Sequence, residues 1–324
     1  MHPQLIKQSP SETQKVSALA QRRIIVVKRN KPEKKVYTRV PAVRIKPCGD
    51  VSNKFITDID REDVDNPLAA VEYVDELYRF YKLSEGSSQV RDYMHMQSEI
   101  DVSMRMELVD LLVATHDLLN LPPEALYLAV HIVDRYLSVN LVSRNEFRLV
   151  GFSALVIAGK YEDDFVPPVE EYVSLADGDF SKRQILAMEN SILEKLGWTL
   201  TVPTAYHFLV RFIKAAVADK ELENMVFFLA ELGLMQYAML QYSPSMFAAS
   251  CVYAANCALK KTPFWNETFK NYTGFCECQL IECARQLESF HSEAAQHELQ
   301  TVYKNTQVVN CSASTHNLLF VLID

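Results

Sequence analysis

Gly151-Phe-Ser-Ala-Leu-Val-Ile-Ala-Gly-Lys-Tyr-Glu-Asp163 is the stretch of the chain that decides its fold. Its first nine residues contain one polar side chain, Ser153, and no proline. A helix that is apolar on every side is stable only when other helices surround it, and crossing a bilayer takes about 20 residues. We therefore predict the central helix of a soluble bundle. The charged cluster at residues 160–163 either caps this helix or binds another molecule.

The composition favours a helical protein in a reducing compartment. Only 8 of the 324 residues are glycine, against a usual share of about 7%, which argues against sandwiches, barrels and glycine-rich nucleotide loops. The 7 cysteines are irregularly spaced and no signal peptide precedes them, which is typical of a reducing compartment. No apolar run reaches the length of about 18 residues that a membrane span needs.

Charge divides the chain into a basic arm and an acidic body. Residues 1–47 carry twelve Lys or Arg and two acids, a net charge of +10, and the rest carries −18, which gives −8 in total. Because an acidic body repels phosphates, general nucleic-acid binding is disfavoured. Residues 1–57 lack helical periodicity and are predicted to be a disordered arm. Its basic run at residues 28–35 is either a nuclear-import signal or a solvated linker.

Helical periodicity then predicts an all-α chain. An N-terminal helix and linker occupy 58–92, and the helix is expected to start at Asp65-Asn-Pro67, because a polar cap followed by proline begins helices. Two five-helix domains follow over 93–199 and 200–305, and a tail occupies 306–324. The long helices are predicted at about 100–119, 123–138, 145–160 and 181–196, and again at 203–218, 220–240, 244–259 and 276–303. Short helices follow Pro168 and Pro263.

The two domains are predicted to be repeats. A constant offset of 95 residues pairs Ser153 with Ala248 and Pro168 with Pro263 across three successive helices. The central stretch at 151–163 therefore has a counterpart at 245–259. Each is expected to be the core helix of its own domain.

Three charged residues fall on apolar helix faces. Glu189 lies between Ile185 and Leu193 in the apolar stripe of its helix, so it needs a partner, either in an internal salt bridge or at an interface. Arg105 and Asp134 lie on the buried faces of adjoining helices, and we predict that they form a structural ion pair.

No catalytic or metal-binding constellation is found. Phosphate-binding loops, nucleophile elbows and His-Glu-x-x-His motifs are missing. A group of cysteines and histidines near the C-terminus invites a zinc interpretation, but it lacks the Cys-x2-Cys spacing of zinc sites, and its helical pattern would scatter the side chains. The group consists of Cys276, Cys278, Cys283, His291 and His297. We expect no catalytic residue, no metal and no cofactor.

Several stretches resemble the cyclin box, among them Met104-Arg-Met-Glu-Leu-Val-Asp110, Leu128-Ala-Val-His-Ile-Val-Asp-Arg-Tyr-Leu137 and Gln184-Ile-Leu-Ala-Met-Glu189. Residues 66–74 and 207–214 look like B-type mitotic cyclins, most like those of plants. The resemblance covers about 58–304 and implies two tandem cyclin boxes. It also implies a non-catalytic subunit, in nucleus and cytoplasm, that binds and activates a cyclin-dependent Ser/Thr kinase in G2/M control.

The resemblance assigns the kinase contacts. Lys160 and Glu189 correspond to the family residues that contact the kinase backbone. The other implied contacts are Ile157, Tyr161, Glu162, Asp163, Leu193, Trp198 and Leu200, with Tyr73 and Leu77 from the N-terminal helix.

The groove that docks Arg-x-Leu substrate peptides in this family has diverged. It corresponds to Met104, Glu107, Leu108, Leu111, Ala114 and Arg148. Glu107 replaces Ile, Leu111 replaces Trp, Ala114 replaces Glu, and Arg148 replaces Gln and is expected to repel a basic peptide. We therefore expect weak docking of substrates at this groove.

Other departures concern the helix end and the N-terminal region. Gly159 replaces a family Cys and is expected to loosen the last helical turn by up to about 1 kcal/mol. The N-terminal region is short, and residues 1–60 contain no Arg-x-x-Leu destruction box, so a degradation signal is either unused or missing from this chain. Two alternatives stay open: a diverged cyclin that binds kinase but activates it poorly, and a cyclin-fold transcription or nucleic-acid scaffold.

Overall fold

The computed structural model describes residues 56–90 and 92–294. Every regular element in these two ranges is a helix, which confirms the all-α prediction. Most of the predicted basic arm, the tail at 306–324 and the last part of the helix predicted at 276–303 lie outside the described residues.

The chain divides into two compact units, one ending at Phe80 and the other starting at Tyr81. The first unit contains a short 3-10 turn, Arg61–Asp63, and the beginning of helix α1, Val71–Ser88. The predicted helix start at Asp65-Asn-Pro67 is wrong. The Asn66 side chain accepts a hydrogen bond from the backbone amide of Leu68 at 3.0 Å, which makes a turn. Ala70 has a positive φ of 44°. The helix therefore begins only after that left-handed residue.

The second unit contains two sets of five helices. The first set is α2 Val102–Leu118, α3 Pro123–Leu137, α4 Arg144–Glu162, α5 Val169–Leu175 and α6 Lys182–Lys195. The second set is α7 Ala205–Ala215, α8 Lys220–Met235, α9 Pro244–Ala258, α10 Glu267–Thr273 and α11 Glu277–Ala294. Short 3-10 turns at Met94–Met96 and Tyr237–Gln241 precede α2 and α9, respectively.

Five of the described helices start at a side-chain cap that satisfies a free backbone N–H. Ser181 and Gln184 form a complete capping box at α6. The caps of α2, α8, α9 and α10 are Asp101, Asp219, Ser243 and Asn266. The starts of these helices are therefore fixed by local sequence.

Helix α4 is the core of the first five-helix set, as its apolar sequence predicted. It is buried from Val150 to Gly159 and packs against α2, α3 and α6. Its one polar residue in that run, Ser153, donates to the carbonyl of Ile185 in α6 at 3.3 Å. Helix α9 is buried in the same way from Phe247 to Ala258, so each set has an enclosed central helix.

Arg105 and Asp134 form the ion pair that their helix faces predicted. Arg105 Nε lies 2.7 Å from Asp134 Oδ1 and Nη2 lies 2.8 Å from Oδ2, with both side chains 2% exposed. Tyr93 donates its hydroxyl to Asp134 at 2.7 Å, and burial raises the pKa of that tyrosine well above its ordinary value. Because both ions are satisfied, they are tolerated in the core.

The same arginine joins the two helix sets. Arg105 Nη1 donates to the carbonyls of Leu234 and Met235, each at 3.1 Å. These carbonyls belong to the last turn of α8 and have no partner within the helix. Helix α8 consequently ends at Met235, with Gln236 extended, rather than continuing to residue 240 as predicted.

Candidate functional site

Lys160 and Glu189 form an ion pair at the surface of the first helix set. Lys160 Nζ lies 2.7 Å from each carboxylate oxygen of Glu189. The Lys160 side chain is 41% exposed and that of Glu189 is 12% exposed. Glu189 therefore has the internal salt bridge that was one of its two predicted partners. Its place at an interface stays a prediction.

The end of α4 is fixed to the segment that follows α6. Tyr161, the residue after Lys160, makes a hydrogen bond through its hydroxyl with Thr201 Oγ1 at 2.5 Å. Asp163 ends the helix, and its amide donates to the carbonyl of Gly159 at 3.0 Å. The hydrogen bond to Thr201 brings the Lys160 region and the Gly197–Thr201 segment, residues 197–201, onto one surface.

The Gly197–Thr201 segment opens with a left-handed turn. Gly197 has a φ of 59° and Trp198 a φ of 57°. The Trp198 amide donates to the carbonyl of Leu193 at 2.9 Å, which closes the end of α6, while the side chain is 66% exposed. A non-glycine residue in this region is strained by about 1–3 kcal/mol, and such strain is concentrated at functional sites. Leu200 in the same segment is part-buried.

Phe165 is an exposed aromatic that the sequence analysis did not assign. It lies in the loop after α4 and is 89% exposed. Its amide donates to Asp163 Oδ1 at 3.0 Å, which shapes the loop locally. The sequence signal was an aromatic residue between two acids and two prolines, a loop position where no core packing is expected.

Three predicted contact residues are not at the surface. Ile157, Glu162 and Leu193 are buried within this chain. Their contact with a partner stays a prediction, and it would involve only the small part of each side chain that other helices leave uncovered.

The two remaining predicted contacts belong to the first unit. Tyr73 is exposed and Leu77 is part-buried, both on α1. Lys160, Glu189 and Trp198 belong to the second unit.

The predicted substrate groove lies where α2 packs against α4. Leu108 is buried there against Gly151, where an added Cβ would come within 2.6 Å of Leu108 Cδ1. Glu107 is exposed, while Met104, Leu111 and Ala114 are part-buried. Arg148 forms an ion pair with Asp179. The expected repulsion from Arg148 is therefore reduced, since a carboxylate already neutralises its charge.

Gly159 has a packing role that the sequence did not reveal. Helix α4 continues past it to Glu162, so the last turn is formed. A Cβ added at Gly159 would lie 3.0 Å from the hydroxyl oxygen of Tyr172, which is buried and has no hydrogen-bond partner among residues 56–90 and 92–294. Burial raises the pKa of Tyr172 to about 12. The glycine thus makes room for this hydroxyl.

The described ranges contain neither a cluster of metal ligands nor a membrane-spanning helix. Among residues 56–90 and 92–294, no group of three His, Cys, Asp or Glu side chains is placed to hold a metal ion. None of the helices in these ranges is both long enough and apolar enough to cross a membrane. The surface described above consists of an ion pair, exposed aromatics and a strained turn, which suit binding rather than chemistry.

Comparison with known proteins gives matches along most of the chain. Residues 76–201 match the cyclin N-terminal domain family, and residues 203–317 match the cyclin C-terminal domain family. The G2/mitotic-specific cyclin S13-6 of Glycine max is 50% identical over 279 residues, which cover 84% of this chain and 62% of that protein. The G2/mitotic-specific cyclin S13-7 of the same species is 52% identical over 229 residues, covering 71% of this chain and 89% of that protein.

A solved structure agrees at the level of the fold. The X-ray structure of a viral cyclin from Herpesvirus saimiri superposes with a TM-score of 0.60 at 18% identity, covering 71% of this chain and 99% of that one. The chain spans about three fifths of the length of S13-6, with 62% of that protein covered. The two domain matches and the identity to both soybean proteins show that the chain belongs to the cyclin family.

Proposed function

We propose that this chain binds a cyclin-dependent protein kinase and acts as its regulatory subunit in the control of the G2-to-mitosis transition. Membership of the cyclin family supports the partner, and the G2/mitotic-specific names of its relatives support the timing. Phosphoryl transfer belongs to the kinase, and this chain contributes binding surface. The observation that carries the proposal is the Lys160–Glu189 pair, whose lysine is 41% exposed, next to Tyr161, which is hydrogen-bonded to the segment that carries the strained Trp198 turn.

The ion pair keeps free hydrogen-bonding capacity for a partner. A lysine ammonium has three donors and a carboxylate has about four lone-pair sites. In the free chain Lys160 and Glu189 use only part of this capacity on each other. Lys160 can therefore donate to a backbone carbonyl of the kinase while Glu189 accepts from a backbone N–H. The pair would then be desolvated without leaving either charge unmatched.

The surrounding aromatics supply the apolar contact area. Binding hot spots are enriched in Trp, Tyr and Arg, and they require side chains that become fully buried in the complex. Trp198 and Phe165 are exposed in the free chain, and Tyr161 is hydrogen-bonded to Thr201 in the segment that carries Trp198. A partner that covers this surface would bury both exposed rings around the ion pair.

Activation of the kinase is the finer part of the proposal. By the family resemblance, a cyclin pushes the mobile helix of the kinase inward, so that the kinase Lys–Glu pair and activation loop reach their active arrangement. A rigid surface suits this task better than a flexible one. The enclosed helix α4 and the capped helix α6 provide that rigidity.

The proposal also places the protein in the nucleus and the cytoplasm. The basic run at residues 28–35 lies outside the described residues, so its role is argued from charge alone. Fluorescent fusions of the whole chain, with and without Lys→Gln changes in this run, would test it. An unchanged distribution would assign the run to a solvated linker.

The test of kinase binding compares two ion pairs of the same chemistry. Lys160→Ala with Glu189→Ala removes both partners, so neither charge is left unpaired. The matched control is Lys182→Ala with Glu170→Ala, another surface pair, with Nζ 2.6 Å from the carboxylate. We expect the first double variant to weaken binding of a purified cyclin-dependent kinase about a hundredfold, and the control to leave it unchanged.

Histone phosphorylation by the same complexes separates binding from activation. Binding with a strong rise in activity supports the full proposal. Binding without activation would favour the diverged cyclin that activates poorly. A chain that is folded by circular dichroism but neither binds kinase nor raises its activity refutes the proposal.

A further inference from the structure

The Gly197–Thr201 segment is held by contacts from three helices. Its left-handed start is closed by the hydrogen bond from Trp198 to Leu193 of α6, and its far end is fixed by Tyr161 of α4 through Thr201. Between these points the backbone follows no regular element. Locally, the Thr199 amide donates to the Leu196 carbonyl at 3.2 Å and the Thr199 hydroxyl donates to the Gly197 carbonyl at 3.3 Å, and a third contact, from outside the segment, reaches the Thr199 carbonyl.

Arg135 of α3 makes this third contact. Its Nη1 donates to the carbonyl of Thr199 at 2.6 Å, over a separation of 64 residues. The arginine is part-buried, and burial lowers its pKa. Within the described ranges the Arg135 side chain forms no ion pair, and its one described hydrogen bond goes to a backbone carbonyl of the segment. Charge-assisted hydrogen bonds of this kind are shorter and stronger than neutral ones.

Arg135 and its neighbour act on the same region. Tyr136, the next residue of α3, makes a hydrogen bond with Ser191 Oγ of α6 at 3.2 Å. Two successive residues of α3 thus fix α6 and the segment that leaves it. The guanidinium makes the more exposed of the two contacts, and it makes it to the segment that carries Trp198.

We propose that Arg135 is a positioning residue of the partner-binding surface, which holds the Thr199 carbonyl so that the Trp198 turn keeps its strained, outward-facing conformation. The partner is the kinase of the proposed function, on which this inference rests. Without the arginine, the carbonyl of Thr199 accepts hydrogen bonds only from water. The left-handed conformation of Trp198 then loses one of its restraints. The indole would then be ordered only on binding, which lowers affinity.

The first measurement does not depend on a kinase. The chain has 2 tryptophans, and Trp198 is exposed whereas Trp265 is buried. Labelling with 5-fluorotryptophan gives two ¹⁹F resonances, which Trp198→Phe assigns. Arg135→Met should shift or narrow the Trp198 resonance and leave that of Trp265 unchanged, while Arg135→Lys should give a smaller change. An unaltered Trp198 resonance overturns the proposal.

The second measurement is the affinity for the purified cyclin-dependent kinase. We expect about tenfold weaker binding for Arg135→Met, the effect of one charge-assisted hydrogen bond, with partial recovery in Arg135→Lys. Arg183→Met removes the same charge from an exposed position at the start of α6 and should bind normally. The thermal unfolding temperature of all three variants should match that of the unsubstituted chain within about 2 °C, because the contact is at the surface.

The outcomes separate this inference from the proposed function. If the Trp198 resonance changes but affinity does not, while the Lys160 and Glu189 double variant loses binding, Arg135 does not position the surface for the partner. A drop in affinity equal to that of Arg183→Met would assign the effect to net charge and overturn the proposal as well. If the unsubstituted chain binds no kinase, the proposed function fails, and the ¹⁹F result alone decides whether Arg135 holds the turn.

Discussion

Gly159 and Tyr172 are expected to be strongly coupled in stability. Replacing a helical glycine with alanine stabilises a protein by about 1 kcal/mol. At Gly159 the new Cβ would lie 3.0 Å from the Tyr172 hydroxyl oxygen, 3.5 Å from Leu121 and 3.9 Å from Val166. Only the first contact is too close, and the buried tyrosine has little space to retreat. Overpacking of this kind costs about 1–3 kcal/mol, so Gly159→Ala should destabilise the chain by about 1 kcal/mol.

Removal of the Tyr172 hydroxyl should reverse the sign of the stability change that Gly159→Ala causes. The Tyr172 hydroxyl is buried without a hydrogen-bond partner in the described ranges, so Tyr172→Phe should be neutral or stabilise by up to about 1 kcal/mol. In the Tyr172→Phe background the close contact is gone, and Gly159→Ala should then stabilise by about 1 kcal/mol. The coupling energy between the two positions is thus about 2 kcal/mol.

Urea unfolding of the four proteins, followed by circular dichroism, measures this coupling. A coupling energy of about 2 kcal/mol corresponds to a difference of about 4–8 °C in unfolding temperature for a chain of this size. Additive effects, with a coupling below about 0.5 kcal/mol, would refute the steric argument. Kinase binding by the double variant should be unchanged, because Lys160 keeps its place at the end of a complete helix.

Two other predictions concern buried ions. Arg105→Met should destabilise the chain by about 3–5 kcal/mol in thermal unfolding, since Asp134 would be left buried without its cation; a loss under about 1 kcal/mol would contradict this. Burial lowers the pKa of Lys82 to about 8 from 10.5, so between these pH values the unfolded chain binds more protons than the folded one. The unfolding free energy relative to Lys82→Met should therefore rise from pH 7.5 to 9.5, and a flat or falling difference would reject the effect.

Much of the fold follows from patterns within single helices. The apolar run in α4 predicted an enclosed helix, because no side of it could face water. Arg105, Asp134 and Glu189 were identifiable as charges on apolar faces, since a 3.6-residue period assigns each residue to a face. The caps at Asp101 and Ser181 likewise act on the residues directly after them.

The remaining features depend on contacts between residues far apart in the chain. Helix α8 ends at Met235 because Arg105, 130 residues away, donates hydrogen bonds to the last carbonyls of the helix. Arg148 is neutralised by Asp179, and Gly159 makes room for Tyr172. A helical period reports one helix's own faces and cannot show which neighbour covers them.

The candidate surface shows the same division. The sequence by itself placed Lys160 at the end of a buried helix and Glu189 on an apolar face. Tertiary structure alone decided that these two charges meet, that Ile157 and Leu193 are covered, and that Trp198 is exposed in a left-handed turn. The physical reason is that exposure and ion pairing are set by the packing of α3, α4 and α6 together, whereas helix formation is set largely within each segment.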